Sequence, residues 1–301
     1  MLDRTRTRTR ARARAAVAGA LAAMVIAGLA AGTPAAGPLA AAAPSVAPVA
    51  ALVWKALQPG VDYAVSGWGD QRGAGDDRLH IVRIAPGQAA LRAVMASAGD
   101  GQARTAGAWC RERDLAVAIN LGMYRDDHRT NVGHAHDPQH VNNPRWVPSY
   151  KSALAFGPTG PHLPPAILVD LDAPESRPRL ARYGTVIQNL RLIRAPGRGV
   201  WTQQPRRWSE AAVAIDGAGH VLFVFSRAPH SMREVNEKLL ALPLGIAAAM
   251  HVEGGPEASL SIHAGGVDLD LNGSYETGFN ENDDERAQWP VPNVLAVLRA
   301  R

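Results

Sequence analysis

Two short segments of the chain end an apolar run in a polar residue, with glycine close behind it. In residues 118–124 the run ends at Asn120, and in residues 249–259 Glu253 and Glu257 flank a Gly-Gly-Pro sequence. This pattern is typical of a buried strand that delivers a side chain to a sheet edge, where glycine permits a sharp turn or close approach of a ligand. Paired carboxylates at a strand end are what acid–base or glycosyl-transfer chemistry requires. The alternative for each segment is an ordinary loop.

A histidine-rich stretch follows the first segment. His134 and His136 would place both imidazoles on one face of a strand, and His140 follows four residues later, so metal binding by these three is one hypothesis. Asp137 and the proline after it break the spacing of common dinuclear hydrolases. We therefore favour a polar loop over residues 125–150 that forms a substrate wall, and we assign no cofactor.

The N-terminal segment has the composition of an export signal. Residues 4–14 carry six arginines, residues 15–31 are uncharged and apolar, and small residues and prolines continue to residue 51. This order predicts a signal peptide and leader over residues 1–51, and a secreted or periplasmic protein. An uncleaved membrane anchor is the alternative, because the apolar stretch is close to the minimum spanning length of ~17 residues.

The basic sequence pI of 9.8 comes from the same segment. Residues 1–14 contain six Arg and one Asp, so the rest of the chain has 26 basic and 26 acidic residues. Without net positive charge, nucleic-acid binding has no electrostatic support, and we expect no such partner. The single cysteine, Cys110, excludes an intramolecular disulfide, and we interpret it as a buried, inert thiol.

The rest of the chain, residues 52–301, reads as a single domain of many strands and few helices. Helices are predicted over about 104–113 and from Ser231, where Glu234 completes a capping box and Pro243 ends the helix. The fold class expected is α+β, with a large mixed twisted β-sheet and a few packed helices. The predicted strands are 79–84, 91–96, 115–120, 152–156, 166–170, 186–193, 211–215, 221–226, 247–253, 259–262 and 294–298.

The order of these segments resembles the phosphodiester glycosidase family over about residues 75–300. Residues 119–124 are similar to its Asn-Gly-Gly-Phe-Phe motif, and residues 207–216 to its Arg-Thr-Ala-x-Gly strand and hairpin. Residues 253–259 are similar to its Asp-Gly-Gly-Gly-Ser-Ser turn, and residues 286–295 to its closing Arg-Pro-Val segment.

The chain departs from the family motifs at individual positions, while their order and spacing are kept. Glu253 stands in place of the family aspartate, and Glu257 in place of its first serine. The other departures are Leu121, Met123, Tyr124 and Pro256.

The resemblance implies an exported hydrolase that cleaves sugar 1-phosphodiester linkages in a surface or periplasmic glycan. Its partner would be a carbohydrate or sugar-phosphate substrate, with Glu253 as first catalytic carboxylate and Glu257 as second. Arg207 would bind the phosphate bidentately. The implied substrate-binding residues are Asn120, Gly122, Tyr124, Arg207, Gly254, Gly255 and Ser259.

Two alternative functions stay open at this point. One is a non-catalytic glycan-binding protein on the same fold. The other is a metal-dependent hydrolase that uses His134, His136 and His140. An enzyme needs an ionisable group at Glu253, whereas a binding protein would tolerate glutamine there.

Overall fold

Two antiparallel β-sheets packed face to face form the body of the protein. The computed structural model describes residues 52–69 and 74–300, and the predicted signal peptide over residues 1–51 lies outside the described residues. The large sheet has 12 strands and the small sheet has 5. The path through the large sheet is β1-β2-β3-β13-β12-β14-β10-β6-β7. Strands β8 and β11 also pair with β10, and β9 pairs with β8. The small sheet runs β16-β15-β5-β17-β4.

The strands have the following bounds. They are β1 Lys55–Gln58, β2 Val61–Gly67, β3 Arg78–Ile84, β4 Leu91–Met95, β5 Leu115–Asn120, β6 Ala135–His136, β7 Val141–Asn143, β8 Ser152–Pro158, β9 Ala166–Asp170, β10 Tyr183–Arg194, β11 Arg198–Gly199, β12 Trp208–Asp216, β13 Val221–His230, β14 Ile246–Gly254, β15 Ser259–Ala264, β16 Val267–Asn272 and β17 Asn293–Leu298.

The expected α+β class with a mixed sheet is wrong, because the fold is predominantly β. Every strand pair in the described residues is antiparallel. Antiparallel neighbours are joined by tight turns and need no crossover helix, as in the β12–β13 and β15–β16 hairpins. Every predicted strand is present, with bounds that differ by a few residues at most.

The main hydrophobic core lies between the two sheets. Val82, Phe223 and Met250 of the large sheet share one buried cluster with Ile119 and Leu260 of the small sheet. All five are essentially inaccessible to solvent. This core fixes the two sheets against each other, so the ends of β5 and β14 have defined relative positions.

Helices cover the outer face of each sheet. The described residues contain α1 (Ala106–Arg113), α2 (Ser176–Leu180) and α3 (Met232–Ala241), of which α2 was not predicted. On α1, Trp109 and Cys110 are buried in a cluster with residues of the small sheet, and burial raises the pKa of the Cys110 thiol to about 12. The buried position predicted for Cys110 is thereby confirmed.

The third helix packs on the large sheet and begins as its sequence predicts. Ser231 Oγ accepts the Glu234 N–H, and the Glu234 carboxylate accepts the Ser231 N–H at 2.8 Å, which completes the capping box. Val235 and Leu239 are buried in one cluster with Leu222 of β13. No helix within residues 52–69 and 74–300 is both long and apolar enough to cross a membrane.

Candidate active site

The two segments singled out in the sequence meet at one place, where the Asn120 side chain holds the turn that follows β14. Asn120 Nδ2 donates to the Glu257 carbonyl oxygen at 2.9 Å. Its Oδ1 accepts the Ser259 N–H at 2.8 Å and the Ser259 hydroxyl at 3.3 Å. Asn120 is buried, and β5 and β14 belong to different sheets. The amide therefore joins the small sheet to the chain leaving the large one, and its predicted sugar contact would need these bonds to be exchanged.

Neighbouring side chains leave no room for a Cβ atom at the two glycines of the second segment. A Cβ on Gly254 would lie 2.8 Å from Cδ1 of Trp208, and one on Gly255 would lie 2.5 Å from Oε2 of Glu276. Gly255 also has a φ of +65°, in the left-handed region that side chains disfavour. These positions thus let Trp208 and Glu276 approach the turn.

Both predicted catalytic carboxylates are buried. Glu253, at the end of β14, has 2 % of its surface exposed, and Glu257, in the single helical turn after it, has 4 %. The Gly254 N–H donates to Glu253 Oε1 at 3.1 Å. Exposed glutamates on an ordinary loop, the alternative considered from the sequence, are excluded by this burial. Buried carboxylates are rare outside ion pairs and functional sites.

A buried Glu210–His251 pair lies beside Glu253, and neither of its residues was among the predicted site residues. His251 Nδ1 lies 2.7 Å from Glu210 Oε1, and Trp208 Nε1 donates to Glu210 Oε2 at 2.7 Å. Burial opposes protonation of His251, but the carboxylates of Glu210, Glu253 and Glu276 outweigh it, so the pKa of His251 is raised. The signal available was a charged or polar residue inside an otherwise apolar strand, at Glu210 on β12 and at His251 on β14.

Arg207 precedes β12 and forms an ion pair with the first turn of α3. Its Nη2 lies 3.1 Å from Glu234 Oε1, and 37 % of the Arg207 side chain is exposed. An ion pair this exposed contributes little to stability, so the guanidinium can exchange Glu234 for an anionic ligand at low cost. The geometry is compatible with the predicted phosphate contact, which stays a prediction.

Gly122 and Tyr124, the other predicted substrate contacts from the first segment, lie in different surroundings. A Cβ on Gly122 would lie 2.5 Å from Asn189 Oδ1 and 2.9 Å from Asn131 Oδ1, so buried amides account for this glycine. Tyr124 belongs to the buried cluster under α1. The roles of both residues in binding stay predictions.

The segment over residues 125–150 contains two short strands, β6 and β7, rather than loop alone. Gln188 of β10 holds it in place. Its Nε2 donates to the Val147 and Tyr150 carbonyl oxygens at 2.7 and 2.6 Å, and its Oε1 accepts the Val147 N–H at 2.9 Å. Val147 and Tyr150 belong to the buried cluster between the outer face of the large sheet and α3, so this segment packs on that face. Its role as a substrate wall stays a prediction.

The predicted histidine ligands do not assemble into a metal site. His134 Nε2 and His136 Nδ1 lie 2.8 Å apart, whereas His140 Nε2 is hydrogen-bonded to Ser97 Oγ at 2.8 Å. Burial lowers the pKa of both His134 and His136. Within the described part of the chain, no group of three or more His, Cys, Asp or Glu side chains is arranged to hold a metal ion.

Comparison with solved structures finds this fold in other proteins. The catalytic domain of zebrafish N-acetylglucosamine-1-phosphodiester alpha-N-acetylglucosaminidase, auto-inhibited by pro-peptide, is similar at a TM-score of 0.55 and 13 % identity, with 85 % of each chain covered. A hypothetical protein from Synechocystis is similar at a TM-score of 0.51 and 17 % identity, over 81 % of this chain and 64 % of that one. At these identities the likeness concerns the fold alone.

The fold is an antiparallel β-sandwich in which buried carboxylates lie beside a histidine. The sequence profile of the phosphodiester glycosidase family matches residues 113–298, which contain all the carboxylates described above. The chain therefore belongs to the phosphodiester glycosidase family, as its motifs indicated. No curated protein sequence gives a significant match to the chain.

Proposed function

We propose that the protein is an exported hydrolase that cleaves sugar 1-phosphodiester linkages in a surface or periplasmic glycan, with Glu253 as its essential carboxylate. Membership of the phosphodiester glycosidase family supports the glycosidase class. The observation that carries the assignment within this chain is the burial of Glu253 at the end of β14, where the family motif has its aspartate.

The reaction depends more on a carboxylate than on a proton donor. The departing group is a phosphate monoester, which is a weak base and leaves the anomeric carbon without full protonation. Glu253 activates the attacking water or stabilises the oxocarbenium-like transition state. Arg207 donates to the phosphate oxygens after exchanging its Glu234 partner.

The turn after β14 owes its shape to residues other than the reacting ones. Asn120 holds the Glu257 carbonyl and the Ser259 N–H, so Glu253 and Glu257 are presented by a backbone with few degrees of freedom. Pre-organisation of this kind places catalytic groups without a cost at the moment of reaction. On this proposal Asn120 and Ser259 support the site, and the carboxylates carry the reaction.

The test identifies which bond is broken. The wild-type protein is incubated with a panel of sugar 1-phosphodiesters in water enriched in ¹⁸O, and the phosphate monoester is analysed by mass spectrometry. Cleavage at the anomeric carbon leaves the phosphate unlabelled, because the water oxygen bonds to the sugar. The Glu253→Gln protein, purified in parallel, controls for contaminating hydrolases.

Other outcomes of this experiment contradict the proposal in distinct ways. Labelled phosphate would mean cleavage at phosphorus, and hence a phosphodiesterase. Binding of the diesters without turnover would favour the glycan-binding alternative. Export is tested separately, by fractionation of cells that express the full chain and by the mass of the product. An unprocessed protein retained in the cytoplasm would contradict the export prediction from residues 1–51.

A further inference from the structure

The Glu210–His251 pair is fixed where the predicted catalytic carboxylate leaves the large sheet. Glu210 uses both carboxylate oxygens, one for His251 Nδ1 and one for Trp208 Nε1, each at 2.7 Å. A carboxylate so held cannot rotate without losing a hydrogen bond. Because an ionised carboxylate only accepts, Nδ1 carries the shared proton, and Nε2 faces away from Glu210.

The imidazole lies against the Gly-Gly turn. A Cβ on Gly254 would lie 3.3 Å from His251 Cε1, so the absence of a side chain allows the turn backbone to approach the ring edge. Cε1 lies between the two ring nitrogens, of which Nδ1 is held by Glu210, so the ring edge beside the turn also carries Nε2. The Gly254 N–H donates to Glu253 Oε1, so the same glycine contacts the predicted catalytic carboxylate.

Charged groups from three elements face the ring. Glu210 comes from β12, Glu253 from β14 itself, and Glu276 from the segment after β16. The other neighbouring strand, β10, places the apolar Leu190 opposite His251. The ring is buried, but these carboxylates favour its protonated form, which can donate a proton from Nε2.

We propose that His251 is a second catalytic residue, which donates from Nε2 to the phosphate oxygen leaving the sugar, and that Glu210 is its positioning residue. This inference rests on the proposed function. Water oxygen bonds to the anomeric carbon while the carbon–oxygen bond to phosphate breaks, and its electron pair passes to the phosphate oxygen. One water proton passes to Glu253, and the His251 proton passes to the phosphate oxygen. After product release, solvent returns the Glu253 proton to His251.

Two substitutions test the roles separately. His251→Asn removes the proton donor and is expected to lower kcat by about 10²-fold, with a smaller change in KM. This is the lower end of the range for a general acid, because a phosphate monoester leaves without full protonation. Glu210→Gln keeps the shape of the side chain but removes its charge. It is expected to move the alkaline limb of the pH profile of kcat/KM to lower pH by about one to three units, the usual effect of an adjacent opposite charge.

A matched control lies at the other end of strand β12. His220 Nδ1 lies 2.7 Å from Asp216 Oδ2, the same type of pair at the same separation but in the β12–β13 turn. His220→Asn should leave kcat and the pH profile unchanged. NMR titration of His251 in the substrate-free protein, with and without Glu210→Gln, reads the same shift without any need for turnover.

The outcomes separate this inference from the function on which it rests. The inference is wrong if His251→Asn keeps the full wild-type kcat. It is also wrong if Glu210→Gln changes neither the alkaline limb of the pH profile nor the NMR titration of His251. In both cases, turnover by the wild-type protein still supports the proposed function. Absence of wild-type turnover overturns the function first. If Glu210→Gln unfolds, the test uses kcat of His251→Asn and of the uncharged double variant Glu210→Gln/His251→Asn, compared at equal unfolding temperature. These values then decide whether His251 acts in catalysis.

Discussion

Asn120 is expected to contribute to stability because its side chain holds the turn through which the chain passes from the large sheet to the small one. Its amide satisfies two backbone groups that lie 137 and 139 residues away, the Glu257 carbonyl and the Ser259 N–H. Asn120→Ala removes both bonds and leaves a buried donor and a buried acceptor without their partner. Substitution should therefore destabilise the fold and loosen the turn.

The magnitude follows from the cost of such groups. Each buried polar group left without its partner costs about 1–3 kcal/mol, so the two together give about 2–6 kcal/mol. Domains of this kind have a total stability of about 5–15 kcal/mol, and the loss is a large part of it. Asn236→Ala is the matched control. Asn236 is equally buried, but its side chain makes one bond, to the Leu192 carbonyl at 2.7 Å, and alanine favours its helix.

Urea unfolding measures both changes. We expect Asn120→Ala to lower the free energy of unfolding by at least about 2 kcal/mol at an unchanged m-value, and Asn236→Ala to lower it by about 1 kcal/mol. Hydrogen exchange at the Ser259 amide should accelerate in Asn120→Ala alone. A loss below about 1 kcal/mol, or an unaltered Ser259 exchange rate, would refute the claim that this amide holds the turn.

Three further outcomes are expected. Burial lowers the pKa of His80 from 6.5 to about 4, beside the Tyr63 hydroxyl at 2.7 Å. Since the unfolded chain binds the proton first, the stability held above pH 6.5 falls as pH drops toward 4, by about 1.4 kcal/mol per pH unit and about 3 kcal/mol in all. In His80→Gln, the free energy of unfolding measured with urea should no longer fall with pH in this range. The same pH dependence in the variant and the wild type would contradict this prediction. Cys110, with its pKa raised to about 12, should react with thiol reagents only after unfolding, so rapid labelling of the native protein would be inconsistent with its burial. Because His140 contacts Ser97 rather than His134, dialysis against a chelator should leave activity and unfolding temperature unchanged, and a loss restored by metal would reverse this.

The strands could be predicted from the sequence because apolar runs are a local signal. Runs such as Leu115–Asn120 and Ala166–Asp170 are present with the predicted bounds. Strand β16 was missed although its apolar and polar residues alternate, which is typical of a half-buried strand. The shortest strands, β6 and β11, have two residues each and carry no periodic signal.

The sheet type could not be predicted because pairing is not local. Strand β14 lies between β12 and β10, and β5 lies between β15 and β17. Neither strand pairs with the strand that precedes or follows it in the chain. Direction along the sheet depends on these long-range pairs. The predicted strands and the two predicted helices were therefore compatible with a mixed sheet. The observed strand pairs are all antiparallel.

The candidate site could be predicted only in part, because some of its residues have a local sequence signal and others are brought together only by long-range contacts. Glu253 and Glu257 stand out by sequence because carboxylates flank a glycine turn, and burial distinguishes them from an ordinary loop. The bond from Asn120 to the Glu257 carbonyl joins residues 137 apart and has no local signature. His251 and Glu210 are far apart in the chain, and only the β12–β14 pairing brings them together.

The most direct test of the central claim compares two glutamates of one turn. Glu253→Gln keeps the size and hydrogen-bonding reach of the side chain but removes its charge, and Glu257→Gln makes the same change four residues later. We expect Glu253→Gln to lower kcat for a sugar 1-phosphodiester by about 10²–10⁴-fold at an unfolding temperature matched to wild type, and Glu257→Gln to cost less. Undiminished turnover in Glu253→Gln would contradict the account and place the essential carboxylate elsewhere.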